Sequence, residues 1–183
     1  ESLQTSLDNL CDWSLKWQLP INVDKSFFVT ISRNNICSCV HSYRILCSLL
    51  TRRFSVDDLG IAYDCNLCFD KYVNNIASSA KAKVGLLFRS FKTRDPALLK
   101  RAYVTYIRPK LEYASNLWNP FHKTTIAVLE NVQRYFTRRI PSLSIFSYEE
   151  RLAMLNLDTL AKRRLKSDLV LYYKILHGLS SIP

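Results

Sequence analysis

W-S-L-K-W-Q-L-P-I-N-V-D-K-S, from Trp13 to Ser26, is where this chain passes from helix to strand, and its reading sets the fold class. Upstream, Leu3, Leu7, Leu10, Ser14 and Trp17 recur at alternating spacings of four and three, which places them on one face of an amphipathic helix. Pro20 cannot be carried inside that helix, because it lacks an N–H and its ring clashes with the preceding turn. Asn22 and Lys25 then stand three residues apart on the way into Phe27, Phe28, Val29 and Ile31, a short β-rich run. On the residues alone this is a helix–turn–strand corner with Lys25 in solvent.

Beyond residue 66 the pattern turns helical. A first helix is expected from about Lys71 to Phe91, with Val73, Ile76, Ala80, Val84, Leu87 and Phe91 inward. Asp95-Pro96 reads as cap and first position of the next, which would bury Leu99, Ala102, Tyr103 and Tyr106 before a kink or break at Pro109. Leu111, Ala114, Leu117 and Trp118 continue past it, and Thr124 or Thr125 caps a helix carrying Ile126, Leu129, Val132 and Phe136. Ser147 with Glu150 matches a capping box. Asp158 opens a last helix with Leu165, Leu169, Tyr172 and Leu176 inward, stopped by His177-Gly178. The fold class expected is α+β, predominantly helical: a short helix-and-strand part followed by a helical bundle.

Composition narrows the partners. At 183 residues and 48% hydrophobic the chain can bury a substantial core. Residues 1–60 carry six basic and six acidic side chains, while residues 61–183 carry twenty and nine, so the whole net charge of +11 lies in the back half. That asymmetry points to an acidic partner for the helical part, against the plainer reading of a solvated surface that keeps the protein soluble. No run approaches the roughly 18 apolar residues of a spanning helix, so no membrane partner is expected. Three glycines and no G-x-G-x-x-G or P-loop string argue against a glycine-rich phosphate loop.

The order of features resembles the segment just downstream of the catalytic aspartates in reverse transcriptases of non-LTR retrotransposons, the LINE-type elements. The likeness runs from Trp13–Ser26 through Ser42–Leu46, Asp58–Phe69, Tyr106–Pro120, Leu129–Ile140 and Ser147–Leu157. It implies that residues 1–65 are the end of a polymerase palm and residues 66–183 a helical thumb and following region. It also implies that Lys25, in the N-x-x-K-[ST] string, lies near the phosphates of an incoming nucleotide, with Asn22 shaping the turn. Two features depart from the family: Tyr72 stands where a histidine is usual, and Cys47 where glycine is common.

The family's paired aspartates hold the Mg²⁺ ions that activate the primer hydroxyl. Asp57-Asp58 is the one adjacent pair here, and in S-V-D-D-L-G-I it falls after the helix that it should precede. By resemblance the true pair lies upstream of Glu1; a first residue other than methionine, with Met154 the sole methionine, fits a fragment. No catalytic residue, metal site or cofactor is therefore expected in this chain, and Mg²⁺ and the upstream polymerase belong to the intact parent.

Candidate contacts to an RNA or DNA template–primer are the basic residues of the helical part. Arg94, Arg101 and Arg108 are spaced by seven; Arg134, Arg138 and Arg139 follow Gln133 on one helix; Lys162, Arg163, Arg164 and Lys166 form the densest cluster. Guanidinium forks suit phosphate oxygens, and most helical basic stripes are otherwise simply solvated. Because Tyr103, Tyr106, Trp118, Phe136 and Tyr172 read as core, backbone contact is expected rather than base stacking. Cys37-x-Cys39 with Cys65-x-x-Cys68 is weighed as a zinc site against reduced, half-buried thiols of an intracellular protein, nuclear or cytoplasmic; the short first gap favours the thiols. The rival function is a domesticated helical module that binds nucleic acid or protein without a polymerase role.

Overall fold

The structure, a computed structural model, describes residues 2–32 and 42–180. It divides into two compact units, Glu1–Phe69 and Asp70–Pro183. The predominantly helical α+β class is as expected from the sequence.

In the first unit α1 (Leu3–Lys16) is capped by Ser2, whose side chain accepts from the Thr5 N–H. The helix stops before Pro20 demands it, because Gln18 turns into the left-handed region at φ 55°. Its buried residues are Cys11 and Ser14, whereas Leu3, Leu10 and Trp17, read as inward, are exposed. The covering element is only a short hairpin, so the helix buries a narrow stripe rather than its whole apolar face. Gln4 fixes that hairpin by donating to the Arg44 carbonyl and accepting from the Arg44 N–H, both at 3.0 Å.

The strands are short: β1 (Phe27–Phe28), β2 (Arg44–Ile45), β3 (Ser48–Leu49), β4 (Thr51–Arg52), β5 (Ser55–Asp58) and β6 (Ile61–Asp64). β1 pairs in parallel with β4, and β2–β3 and β5–β6 are antiparallel hairpins. The β5–β6 turn is Leu59-Gly60, both at positive φ (48° and 81°), the twist that a two-residue hairpin requires.

The second unit is built on α2 (Asp70–Ser90), which buries Tyr72, Val73, Ile76, Ala77, Ala80, Val84, Leu87 and Phe88. It is followed by α3 (Pro96–Ala102), α4 (Arg108–Glu112), α5 (Ser115–Trp118), α6 (Lys123–Arg138), α7 (Tyr148–Leu155) and α8 (Leu160–Leu176). The central packing is α2 along α6, whose Leu129, Val132 and Phe136 are fully buried. Phe136 stacks on Tyr103 with centroids 4.3 Å apart, and Phe88 lies against its ring at 5.9 Å. Each such side chain contributes about 1.5–3 kcal/mol by leaving water.

Pro109 acts differently from the expected kink or break. The chain absorbs its missing N–H in a single wider turn, Tyr103–Ile107, in which the Arg108 N–H reaches back five residues to the Tyr103 carbonyl. The extra residue per turn rotates the face, so Ile107 is buried and Tyr106 is 68% exposed. Ala114 and Leu117 are likewise exposed, since Ala114 adopts a left-handed conformation that ends α4 and starts α5. Thr124 and Thr125 do not cap α6. His122 precedes it without a side-chain bond, and the Thr125 hydroxyl instead donates to Asp70 at 3.0 Å, tying the starts of α2 and α6 together. The Asp95 and Ser147–Glu150 caps form as the sequence indicates.

The last helix is the largest correction. Thr159 caps it, Asp158 pairs with Lys162 at 2.7 Å, and the buried stripe is Leu160 and Arg164. Leu165, Leu169, Tyr172 and Leu176, read as inward, are 57–63% exposed. Polar contacts set this rotation: Asn116 and Asn119 both donate to Asp168, and the Arg164 Nε–H donates to Asn119 Oδ1 at 3.2 Å.

Candidate nucleic-acid interface

The basic surface of α6 is positioned from inside by a buried polar network. Gln133, expected beside the outward arginines, is fully buried, as is Thr137. Gln133 accepts from the Tyr103 hydroxyl at 3.0 Å and donates to the Tyr148 hydroxyl and to the Asp158 carbonyl. The Tyr148 hydroxyl donates to Glu130, and Glu130 accepts from the Leu160 and Ala161 N–H groups, both at 3.3 Å. A buried carboxylate thus sits on the N-terminus of α8, where its charge meets the positive end of the helix dipole. Burial pushes both tyrosine hydroxyls well above their ordinary range, and the neighbouring Glu130 adds to the rise, so both stay protonated as donors. The network spaces α6, α7 and α8, and so fixes which arginines face out.

The candidate residues separate into those that the fold uses and those that it leaves outward. Arg164 is 1% exposed, so it is an interior residue rather than an outward one; desolvation lowers its guanidinium pKa, and its Nη1 has no partner among the described residues. Arg163 is held by both carboxylate oxygens of Glu112, which raises its pKa, and Arg108 lies 3.7 Å from the same carboxylate. Arg94 closes the C-terminus of α2, donating to the Phe88, Phe91 and Thr93 carbonyls. Lys162 is taken up by Asp158, whose pKa falls in consequence. Arg101, Arg138 and Lys166 are exposed and carry no ion pair among the described residues. Arg134 is exposed too, laid over the Tyr148 ring at 4.3 Å.

On the neighbouring stripe of α6, about 100° round the helix, the cations interleave with rings, which the sequence reading did not expect. Lys81 lies 5.7 Å from the Tyr135 ring and Arg139 lies 5.4 Å from it. Arg139 also lies 4.8 Å from the Phe88 ring, with Arg94 5.8 Å from Phe88. The Arg139 guanidinium donates to the Tyr135 hydroxyl at 2.8 Å. Tyr135 and Lys81 were missed because they belong to different helices. The available signal was the four-residue spacing of Tyr135 and Arg139.

In the first unit the string Asn22–Ser26 forms one turn of 3₁₀ helix, Val23–Lys25. Asn22 Oδ1 accepts from the Lys25 N–H at 3.1 Å, and the Ser26 hydroxyl donates to the Asn22 carbonyl at 2.9 Å, leaving Lys25 exposed. Asp57 and Asp58 are successive residues of β5, and successive side chains of a strand point to opposite faces, so their carboxylates diverge. Among the described residues no group of His, Cys, Asp or Glu is arranged to hold a metal ion. Cys37 and Cys39 lie outside the described residues, as does His41. Cys68 N–H donates to the Asp64 carboxylate at 2.8 Å, in a turn that also takes the Asn66 N–H. No described helix is long and apolar enough to cross a membrane.

No family model matches the chain, and no solved structure matches it. Two curated proteins are similar to it. Over 131 residues, 70% of the chain, it is 33% identical to an uncharacterized protein of Caenorhabditis elegans, of which it spans 66%. Over 143 residues, 76% of the chain, it is 25% identical to the RNA-directed DNA polymerase from mobile element jockey of Drosophila funebris, of which it spans 15%. The chain is distantly related to that reverse transcriptase, and it covers only part of each relative.

Proposed function

We propose that the chain is the palm end, thumb and following helical region of a non-LTR reverse transcriptase, and that it grips template–primer nucleic acid. The observation that carries this is the similarity to the jockey polymerase across most of the chain. The confinement of the net positive charge to residues 61–183 agrees with it. The helical unit supplies phosphate contacts, of which Arg101, Arg134, Arg138 and Lys166 are outward-facing. Lys25 serves the incoming nucleotide's phosphates only together with Mg²⁺ and the aspartates of a whole polymerase, inside the cell. The rival reading, a domesticated binding module, is not favoured by the worm relative, which is itself uncharacterized and is matched over 66% of its length.

The test is binding of a primer–template duplex to the full chain. Arg134→Ala with Arg138→Ala is expected to weaken binding about tenfold and to lower the salt slope by about two, one per phosphate contact, with thermal melting lowered only slightly by the loss of the Arg134 contact to the Tyr148 ring. Arg163→Ala with Arg164→Ala is expected instead to lower melting, because it breaks the Glu112 pair and empties a buried position. Binding that is indifferent to the first pair would remove this face of α6 from the interface.

A further inference from the structure

Three cations follow one another, Arg94 in the loop after α2, Arg139 at the C-cap of α6 and Lys81 on α2, each separated from the next by one ring, Phe88 and then Tyr135. No carboxylate takes part in the row among the described contacts. Like charges held this close repel one another, and the rings offset that repulsion by offering their negative faces. A row of this kind is prepared for a polyanion, whose repeating charges relieve the repulsion on arrival.

Gly85 adds an independent observation. It lies on the same stripe of α2 as Lys81 and Phe88, four residues after one and three before the other. It has ordinary helical backbone, so no positive φ demands glycine there, and a Cβ built on it meets nothing within 4 Å. Glycine weakens a helix interior relative to alanine, and neither the turn geometry nor the packing of α2 explains its presence. It leaves an open floor between the two α2 members of the row, the arrangement that lets another backbone approach closely.

We propose that this face, Lys81 and Gly85 with Tyr135 and Arg139, lying over the buried Phe88 and the carbonyl-bound Arg94, binds the sugar–phosphate backbone of nucleic acid by charge, with Gly85 the point of closest approach. The proposal rests on the function proposed above and extends the contact from the Arg134–Arg138 stripe onto α2. Tyr135 acts as a spacer here rather than a stacking platform. Its ring is already engaged by two cations and its hydroxyl accepts from Arg139, so no base is read.

The experiment is fluorescence anisotropy of the full chain with an RNA–DNA primer–template at fixed salt, beside thermal melting. Lys81→Glu with Arg139→Glu is expected to weaken binding more than about tenfold. Tyr135→Leu leaves the net charge at +11, yet is expected to weaken binding severalfold by letting the cations scatter. Gly85→Gln is expected to raise the melting temperature while weakening binding, opposite signs that a merely structural role would not give. Wild-type affinity in both Gly85→Gln and Tyr135→Leu overturns the geometry. Wild-type affinity after the charge reversal overturns this face and leaves the proposed function standing, whereas no binding by the wild-type chain overturns both. An affinity that ranks single-stranded oligonucleotides by base identity overturns the charge-only mode.

Discussion

Phe136→Ala is expected to destabilise the helical unit by about 4 kcal/mol, the largest effect of any single substitution considered, because it removes a fully buried ring at the α2–α6 contact. The ring stacks on Tyr103 and meets Phe88, so its loss deprives two other aromatic residues of a partner and leaves a void that neither helix backbone can close. Because Phe88 also carries Arg139 and Arg94, the outward row of cations is expected to loosen with it. Urea unfolding followed by far-UV circular dichroism measures the cost. A change under about 1 kcal/mol would mean that α2 and α6 are not packed as described.

Glu130→Ala is expected to cost about 3 kcal/mol or more, by a different route. The substitution leaves the Tyr148 hydroxyl and the Leu160 and Ala161 N–H groups without their acceptor, in positions that water does not reach easily. Glu130→Gln keeps one acceptor oxygen, for the Tyr148 hydroxyl and the Leu160 N–H, but turns an NH2 toward the Ala161 N–H and loses the charge at the start of α8, so it is expected to cost less than Glu130→Ala but not to be neutral. Equal losses in the two variants would show that the acceptor oxygen which glutamine retains contributes little, and that the charge and the second carboxylate oxygen on the Ala161 N–H hold α8.

Much of the helical unit was legible in the sequence because local chemistry decided it. Asp95-Pro96 and Ser147 with Glu150 are caps whose partners lie within three residues, and both formed. The stripe Val73, Ile76, Ala80, Val84 and Leu87 has one apolar face only, so its orientation had no competitor. Asn22 likewise holds Lys25 within a single turn.

Faces decided by distant partners were not legible. Tyr106 and Ile107 are both apolar enough to face inward, and the choice between them was made by the wide turn that Pro109 imposes. On α8 the stripe Leu165, Leu169, Tyr172 and Leu176 has the better apolar period, yet Asn116 and Asn119 hold Asp168 and Arg164 against α5 and turn that stripe outward. The same applies to the site. Glu130 and Gln133 lie on α6 among residues that read as a polar surface, and their burial depends on Tyr103, Tyr148 and the start of α8. Arg163 and Arg164 are adjacent in sequence, but one meets Glu112 and the other is enclosed. Charge density along the sequence is therefore no measure of availability: in the densest cluster Lys162 and Arg163 are paired and Arg164 is buried, and Lys166 is exposed without an ion pair among the described residues.

The central claim, that the helical unit grips a nucleic-acid backbone, is tested most directly by the salt dependence of affinity. The full chain is titrated against a primer–template duplex across a range from about 50 to 200 mM salt, where several phosphate contacts change affinity by orders of magnitude. The prediction is a straight fall of log affinity with log salt, with a slope of about three or more from outward-facing cations such as Arg101, Arg134, Arg138 and Lys166. An affinity that does not change across that range, or an absence of binding at its low end, would contradict it.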